Sequence, residues 1–204
     1  MDIDMTALTE GENVRGPELL AEAEARLEAA IAGAQKGAVD SARGVARHEV
    51  SAFPRELRIL HRAGVVFRLC GDYREALTLF ERALAGTPRF HYTEIEIGNV
   101  HTALNDPDDA LRWYRLAIEH RPDYPAGYLH AARLEQARGR TSEALAFLNR
   151  LHERVPNHEE GQKLHEELGR VRDERPTVAP KKQDIHLAQP KTFVGSIRAW
   201  MKPK

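Results

Sequence analysis

Histidine and cysteine are the residue types in this chain that could bind a metal or act as nucleophiles. Ten histidines are present, but no two have the H-x-x-x-H spacing, and the single Cys70 has no second thiol with which to share a metal. His158 and His165 lie seven residues apart, and we interpret them as surface histidines on one helix face. The sequence therefore predicts no metal and no cofactor.

Motifs for phosphate binding and acyl transfer are also missing. The chain contains neither a G-x-x-x-x-G-K-S/T loop nor a G-x-G-x-x-G loop, and it lacks a G-x-S-x-G nucleophile elbow. Its many carboxylates stand where helix caps and exposed helix faces would place them. We therefore expect a protein that is not an enzyme.

Charge is distributed unequally along the chain. Residues 1–22 contain six acids and one arginine, whereas residues 175–204 contain seven lysines or arginines and one aspartate. Because the net charge is −1, the middle is close to neutral and does not predict a nucleic-acid-binding surface. We expect a soluble cytoplasmic protein, because the chain has a single cysteine and shows neither a hydrophobic leader nor an apolar run long enough to span a membrane.

A period of 34 residues organises the middle of the chain, and such a period is typical of a repeat array. One position of the period is occupied by glycine or alanine and another by a large apolar side chain, and this combination indicates two helices that cross closely. A third position is glycine or asparagine, which indicates a turn residue in the left-handed backbone conformation. The registers are Pro54, Pro88, Pro122 and Pro156; Ala42, Ala76, Ala110 and Ala144; Gly64, Gly98 and Ala132; Phe80, Tyr114 and Leu148; and Gly37, Gly71, Asn105 and Gly139.

These registers resemble the tetratricopeptide repeat (TPR). The fullest unit, residues 57–90, reads LRILHRAGVVFRLCGDYREALTLFERALAGTPRF, and residues 91–124 and 125–158 follow without insertion. Residues 23–56 keep the small positions but lack the large ones, so we interpret them as a degenerate first repeat. The resemblance implies an all-α, right-handed superhelical solenoid of antiparallel helix pairs with a terminal capping helix.

The remaining segments are predicted from composition. We expect an acidic disordered N-terminus over residues 1–16, N-terminal helices over 17–56 with a start at Pro17, a capping helix over 159–173, and a basic tail over 174–204. Each of these boundaries follows a change in charge, proline content or apolar periodicity.

In the family that this chain resembles, the first helix of each pair lines a concave groove that binds peptides. Over the groove positions of the clear repeats and the capping helix, including Arg68, Glu96 and Arg170, basic residues outnumber acids by six to one. This surplus favours an acidic segment or a C-terminal carboxylate as ligand. The predicted groove residues are Arg58, His61, Arg62, Val65, Tyr92, Asn99, Thr102, His130, Arg133, Gln136 and Lys163.

Three of these residues have more specific expected roles. Asn99 would bind the backbone of a ligand through both groups of its amide, and Tyr92 and His61 would add stacking area. The carboxylate clamp of the family, which holds chaperone C-termini, has a lysine and an asparagine where this chain has His61 and Val65. We therefore do not expect binding of a heat-shock chaperone tail.

The C-terminal segment 192–202 has the apolar spacing of an amphipathic helix. A helix of this length is marginal in water, so it needs a surface to fold against. A partner protein, the chain's own array and an anionic membrane surface remain open, as does a tail that docks nowhere. The predicted docking residues are Phe193, Ile197, Trp200 and Met201.

The functional prediction is a non-enzymatic adaptor that binds an extended or acidic segment of another protein. Two alternatives stay open on the sequence alone. The chain could be an accessory subunit of an enzyme or of a secretion or assembly machine, or it could be a scaffold held at a membrane by its basic tail.

Overall fold

The computed structural model describes residues 7–87 and 89–174. Within these ranges the chain forms nine α-helices and no β-strand. The helices are α1 (Ala7–Gln35), α2 (Val39–Ala52), α3 (Leu57–Leu69), α4 (Tyr73–Gly86), α5 (His91–Ala103), α6 (Pro107–His120), α7 (Pro125–Ala137), α8 (Thr141–Arg154) and α9 (Glu159–Glu174).

Consecutive helices pack as pairs, and the pairs stack into an array. Helix α1 packs on α2, α3 on α4, α5 on α6 and α7 on α8, while α9 packs on α8 and α7. The first helices α1, α3, α5, α7 and α9 also contact one another in series, whereas neighbouring second helices of the described residues do not. The array therefore curves with the first helices on its inner side. The predicted all-α solenoid with a terminal helix is confirmed.

The turns inside the pairs use the left-handed backbone conformation that the sequence predicts. Gly37, Gly71 and Gly139 have φ angles of 90°, 82° and 73°, and Asn105 has φ 58° in the corresponding position. Glycine has no Cβ to clash in this region, and asparagine tolerates it better than most residues do.

Close packing between the two helices of a pair depends on the small residue of the first helix. A Cβ on Gly64 would lie 2.4 Å from Cε1 of Phe80, and a Cβ on Gly98 would lie 2.4 Å from Cε1 of Tyr114. Both rings are buried, so they have little room to move. In the third repeat Ala132 replaces the glycine, and Leu148 replaces the ring. The two positions therefore change together.

Helix α1 is longer than the sequence predicts. It begins at Ala7, so residues 7–16, which we expected to be disordered, are helical. Pro17 lies inside the helix instead of at its start. Proline lacks an N–H and usually disfavours a helix interior, but its φ is compatible with a helix, and alanine, leucine, glutamate and arginine in the preceding segment favour one.

A partly buried ion pair connects α1 to α2 in the degenerate first repeat. The Glu49 side chain is 1% exposed, and Arg26 donates to it from Nε at 2.6 Å and from a terminal nitrogen at 3.2 Å. The hydrogen bonds from Arg26 lower the pKa of Glu49 against the opposing effect of burial. Here a charged contact supplements a core that is built mainly from alanines and Leu27.

We expect Gly64→Ala to lower the free energy of unfolding by roughly 1–3 kcal/mol, because the added methyl overlaps the Phe80 ring. Urea denaturation would measure the change. Gly44→Ala is the matched control, since Gly44 lies in α2 with no atom within 4 Å of the added Cβ. Better helix propensity should stabilise that variant by about 0.5–1 kcal/mol.

A second substitution tests the cause of this loss. Adding Phe80→Leu to Gly64→Ala reproduces the Ala132–Leu148 combination of the third repeat and should recover part of the lost stability. Wild-type stability of the single Gly64→Ala variant would show that the close approach does not limit packing.

We expect Arg26→Met to destabilise the protein at pH 7 more than at pH 3. Because the folded state lowers the pKa of Glu49, its pairing with Arg26 stabilises the protein at pH values above the ordinary carboxyl pKa of about 4.3. This stabilisation is lost as the pH falls through the lowered pKa. Thermal unfolding of both proteins across this pH range would measure the difference.

Glu22→Gln is the control for this experiment. Glu22 also contacts Arg26, at 3.5 Å, but it is 64% exposed, so its loss should have little effect at either pH. An Arg26→Met loss of the same size at pH 3 and pH 7 would contradict a role for the charge of Glu49.

Candidate peptide-binding groove

The predicted groove residues lie on the helices of the inner side. Helix α3 carries four of them, α5 and α7 carry three each, and α9 carries Lys163. We call the surface formed by α3, α5, α7 and α9 the inner groove. Polar side chains of this surface contact the next first helix, as in the hydrogen bond that Gln136 of α7 donates to Glu167 of α9 at 3.4 Å.

Every basic residue counted in the groove has a carboxylate partner. The pairs between helices are Arg58–Glu24 at 3.4 Å, Arg62–Glu28 at 3.0 Å, Arg62–Glu24 at 3.6 Å, Arg68–Glu96 at 2.6 Å and Arg133–Glu160. On α9, Lys163 pairs with Glu159 at 3.6 Å and Arg170 with Glu166 at 4.0 Å. The basic surplus predicted from sequence is therefore largely balanced by carboxylates that the count left out.

Sequence reasoning missed Glu24 and Glu28, although a signal for them was available. They stand 34 residues before Arg58 and Arg62, in the same registers of the degenerate first repeat. The predicted groove began at the first clear repeat, so α1 was excluded. Extending the period upstream would have placed two acids directly beside two arginines of the next repeat.

The Asn99 amide is already engaged by the protein. The Tyr114 hydroxyl donates to Asn99 Oδ1 at 2.9 Å and lies 2.9 Å from Thr102 Oγ1. Burial raises the pKa of Tyr114 to about 12, so the hydroxyl keeps its proton at neutral pH. The carbonyl oxygen of Asn99 therefore already accepts one hydrogen bond within the protein, and binding of a ligand backbone through both groups of its amide stays a prediction.

Two histidines of the inner groove, His61 and His130, are neutral at physiological pH. His61 Nδ1 lies 3.0 Å from Thr93 Oγ1, and burial lowers the pKa of His61 to about 4. His130 stacks on Tyr114 with ring centroids 5.5 Å apart, and burial lowers its pKa also. Neither imidazole adds positive charge to the surface.

Aromatic rings line one rim of the groove, at the N-terminal ends of α5 and α7. The Phe90 and Tyr92 centroids are 5.4 Å apart, and those of Tyr92 and Tyr124 are 5.1 Å apart. Tyr92 is 42% exposed, so its ring reaches solvent. His61 and His91 stand behind these rings, 5.4 Å from Phe90 and 4.9 Å from Tyr124. The sequence predicted stacking for Tyr92 and His61 but not the rings from the inter-repeat turns.

Among the described residues, His101, Asp106 and Asp109 form one group with metal-ligand atom types, within 4.8 Å of one another. Asp106 accepts the N-cap hydrogen bond of α6 from the Asp109 N–H at 3.4 Å, and Asp109 pairs with Arg112 at 2.6 Å. A helix N-terminus also disfavours a cation. We therefore assign no metal site to this group.

Cys70 has the environment of a packing residue. Its Sγ contacts the Val39 carbonyl oxygen at 3.6 Å, and burial raises the pKa of the thiol. A raised pKa reduces the reactive thiolate fraction at neutral pH.

The tail prediction concerns residues outside the described ranges. Phe193, Ile197, Trp200 and Met201 all belong to this part of the chain, so their docking remains a prediction. Of the helices within residues 7–87 and 89–174, none combines the length and apolar character needed to cross a membrane.

Comparison with known proteins gives two family matches. A model described as a tetratricopeptide repeat matches residues 101–168, and a second model with the same description matches residues 59–90. A comparison with curated proteins finds no match.

Solved structures of the same architecture are also similar. A TPR protein of Thermus thermophilus has 22% identity and a TM-score of 0.63, with 79% of this chain and 87% of that chain covered. The MamA protein has 15% identity and a TM-score of 0.53, covering 75% and 90%. The first TPR of Spaghetti (RPAP3), bound to the HSP90 peptide SRMEEVD, has 18% identity and a TM-score of 0.51, covering 57% and 95%. At these identities the similarity concerns the fold.

The match over residues 59–90 covers the helix pair α3–α4, and the match over residues 101–168 covers α6, α7, α8 and the greater part of α9. The chain belongs to the tetratricopeptide repeat family.

Proposed function

We propose that this chain is a non-enzymatic scaffold that binds an extended segment of a partner protein in the inner groove. The observation that carries the proposal is the continuous inner side, where α3, α5, α7 and α9 contact one another in series. Such a surface offers polar side chains from successive repeats to a single extended chain. Membership of a family of interaction modules supports the same function.

The charge preference that we propose is local to two points of the groove. Arg133 and Glu160 are each 52% exposed, and an ion pair this open to water contributes little stability. Glu28 is 57% exposed beside Arg62, which is 28% exposed. A carboxylate of a ligand could therefore replace Glu28 or Glu160 without leaving a buried charge unpaired. An acidic segment or a C-terminal carboxylate remains the favoured ligand at Arg62 and Arg133.

A chaperone tail is not part of this proposal. The Spaghetti structure contains an HSP90 peptide, but that chain shares only 18% identity with this one. The carboxylate clamp that the family uses for such tails requires a lysine and an asparagine where this chain has His61 and Val65. His61 is also neutral and hydrogen-bonded to Thr93, so it does not substitute for a lysine.

A cytoplasmic setting belongs to the proposal as well. The single Cys70 excludes an intrachain disulfide, which suits a reducing compartment. Its thiol packs against the backbone of Val39 and needs no oxidising environment.

We expect Arg62→Glu combined with Arg133→Glu to abolish capture of the main partner, because both points of carboxylate binding are reversed. Affinity pull-down with mass spectrometry would identify the partner of the wild-type chain and measure its recovery. Circular dichroism would verify that the helical content is unchanged. Full recovery of the partner by the charge-reversed chain would refute the groove assignment.

The matched control for this variant is Arg74→Glu combined with Arg154→Glu. These arginines are exposed on the second helices α4 and α8, away from the inner side, and give the same change in net charge. Their reversal should leave capture intact, which would separate a site effect from a general charge effect.

We expect Glu28→Gln combined with Glu160→Gln to strengthen binding of an acidic ligand several-fold, because Arg133 loses the carboxylate that pairs with it and Arg62 keeps only the more distant Glu24, at 3.6 Å. Fluorescence anisotropy with a labelled decaglutamate peptide at two salt concentrations would measure the gain. An unchanged dissociation constant would show that the internal carboxylates do not compete with a ligand.

A further inference from the structure

We propose that the rings of Phe90, Tyr92 and Tyr124, which we call the aromatic row, bind an uncharged, proline-rich part of the partner segment. This inference rests on the proposed function, because it names the chemistry of the segment at the rim of the inner groove. It concerns rings at the turns between repeats, which are distinct from the arginines considered above.

The geometry of the row leaves notches between successive rings. Phe90 and Tyr92 meet at an interplanar angle of 64°, and Tyr92 and Tyr124 meet at 71°. In edge-to-face pairs of this kind the ring planes lie at an angle to each other, and the Tyr92 ring, which is 42% exposed, is accessible to a flat aliphatic group beside its neighbours. A proline ring is such a group, and it is held rigid before binding.

The length of the row fits one turn of a polyproline II helix. Its two centroid steps are 5.4 Å and 5.1 Å, so the row extends over about 10 Å at most. Polyproline II rises about 3.1 Å per residue with three residues per turn, so residues i and i+3 lie on one face about 9 Å apart. The two ends of the row can therefore contact successive residues on one face of such a ligand.

The row is exposed in front and held by packing behind. Of the phenylalanine, tyrosine and tryptophan side chains that the structure describes, Tyr92 is the one that is more than one-third exposed. Behind it, His61 lies 5.4 Å from Phe90, and His91 lies 4.0 Å from Tyr92 and 4.9 Å from Tyr124. Rings fixed in this way lose little conformational entropy on binding, which favours a ligand that is also preorganised.

The charges around the row favour a ligand without charge. Arg68 and Glu96 pair with each other at 2.6 Å, and Arg121 and Asp123 pair at 2.7 Å. Burial lowers the pKa of His91, as it does that of His61, so both imidazoles behind the rings are neutral. These groups together carry no net charge, which leaves apolar contact with the rings to select the ligand.

Three labelled peptides test the inference with the full chain: decaproline, decaglutamate and a Gly-Ser decapeptide. Fluorescence anisotropy should show tighter binding of decaproline than of the flexible Gly-Ser peptide. Tyr92→Ala should weaken decaproline binding by about tenfold, because it removes the central ring of the row. Tyr92→Phe should keep the affinity within about twofold, because the ring remains.

Leu104→Ala is the matched control, because Leu104 is 49% exposed and lies at the opposite end of α5 from Tyr92. It removes a similar exposed apolar side chain and should leave decaproline binding unchanged. Circular dichroism would verify that each variant retains the helical content of the wild type.

The inference is overturned if decaproline binds no better than the Gly-Ser peptide, or if Tyr92→Ala binds it as well as the wild type does. The proposed function would survive that result if partner capture still depended on Arg62 and Arg133. Conversely, decaproline binding that depends on Tyr92, together with capture that ignores the charge reversal, would support the aromatic row and refute the charged part of the groove.

Discussion

The distance between the two helices of a pair is set where a small residue of the first helix meets a large side chain of the second. At Gly64 and Gly98 there is no room for a methyl group, because the rings of Phe80 and Tyr114 occupy it. This contact brings the helices close together and buries both rings. The stacking of pairs, and with it the inner side formed by the first helices, depends on this approach.

A charged network on the inner side follows from this stacking. Once the first helices lie side by side, long side chains of one repeat reach those of the next, as Arg68 reaches Glu96 at 2.6 Å. The pairs hold neighbouring repeats together and lower the net charge of the groove. In the function that we propose, a ligand carboxylate would compete with the carboxylates of the groove itself, so such a surface would not attract every acidic chain. Specificity would then depend on which pairs are open to water.

The same stacking also engages polar and aromatic residues of the inner side in contacts within the protein. Tyr114 fills the space beside Gly98, and its hydroxyl continues through the packing to contact Asn99 on the inner side. His61 is partly buried between Thr93 and the ring of Phe90. Such residues contribute to the shape of the groove while their hydrogen-bonding groups are partly used by the protein. The groups left for a ligand are fewer and more local than the residue types suggest.

The sequence alone specifies the helix pairs, because each repeat carries its own turn residue and its own small–large contact, and both are local in the chain. It placed Gly71 and Asn105 at left-handed turns and Gly64 opposite Phe80. The chemistry of the groove, in contrast, depends on how the repeats pack against one another. The nearest carboxylate partners of Arg62 and Arg133 are Glu28 and Glu160, which lie 34 and 27 residues away on neighbouring first helices. Whether an arginine is free or paired therefore depends on which side chains the stacking brings within about 4 Å.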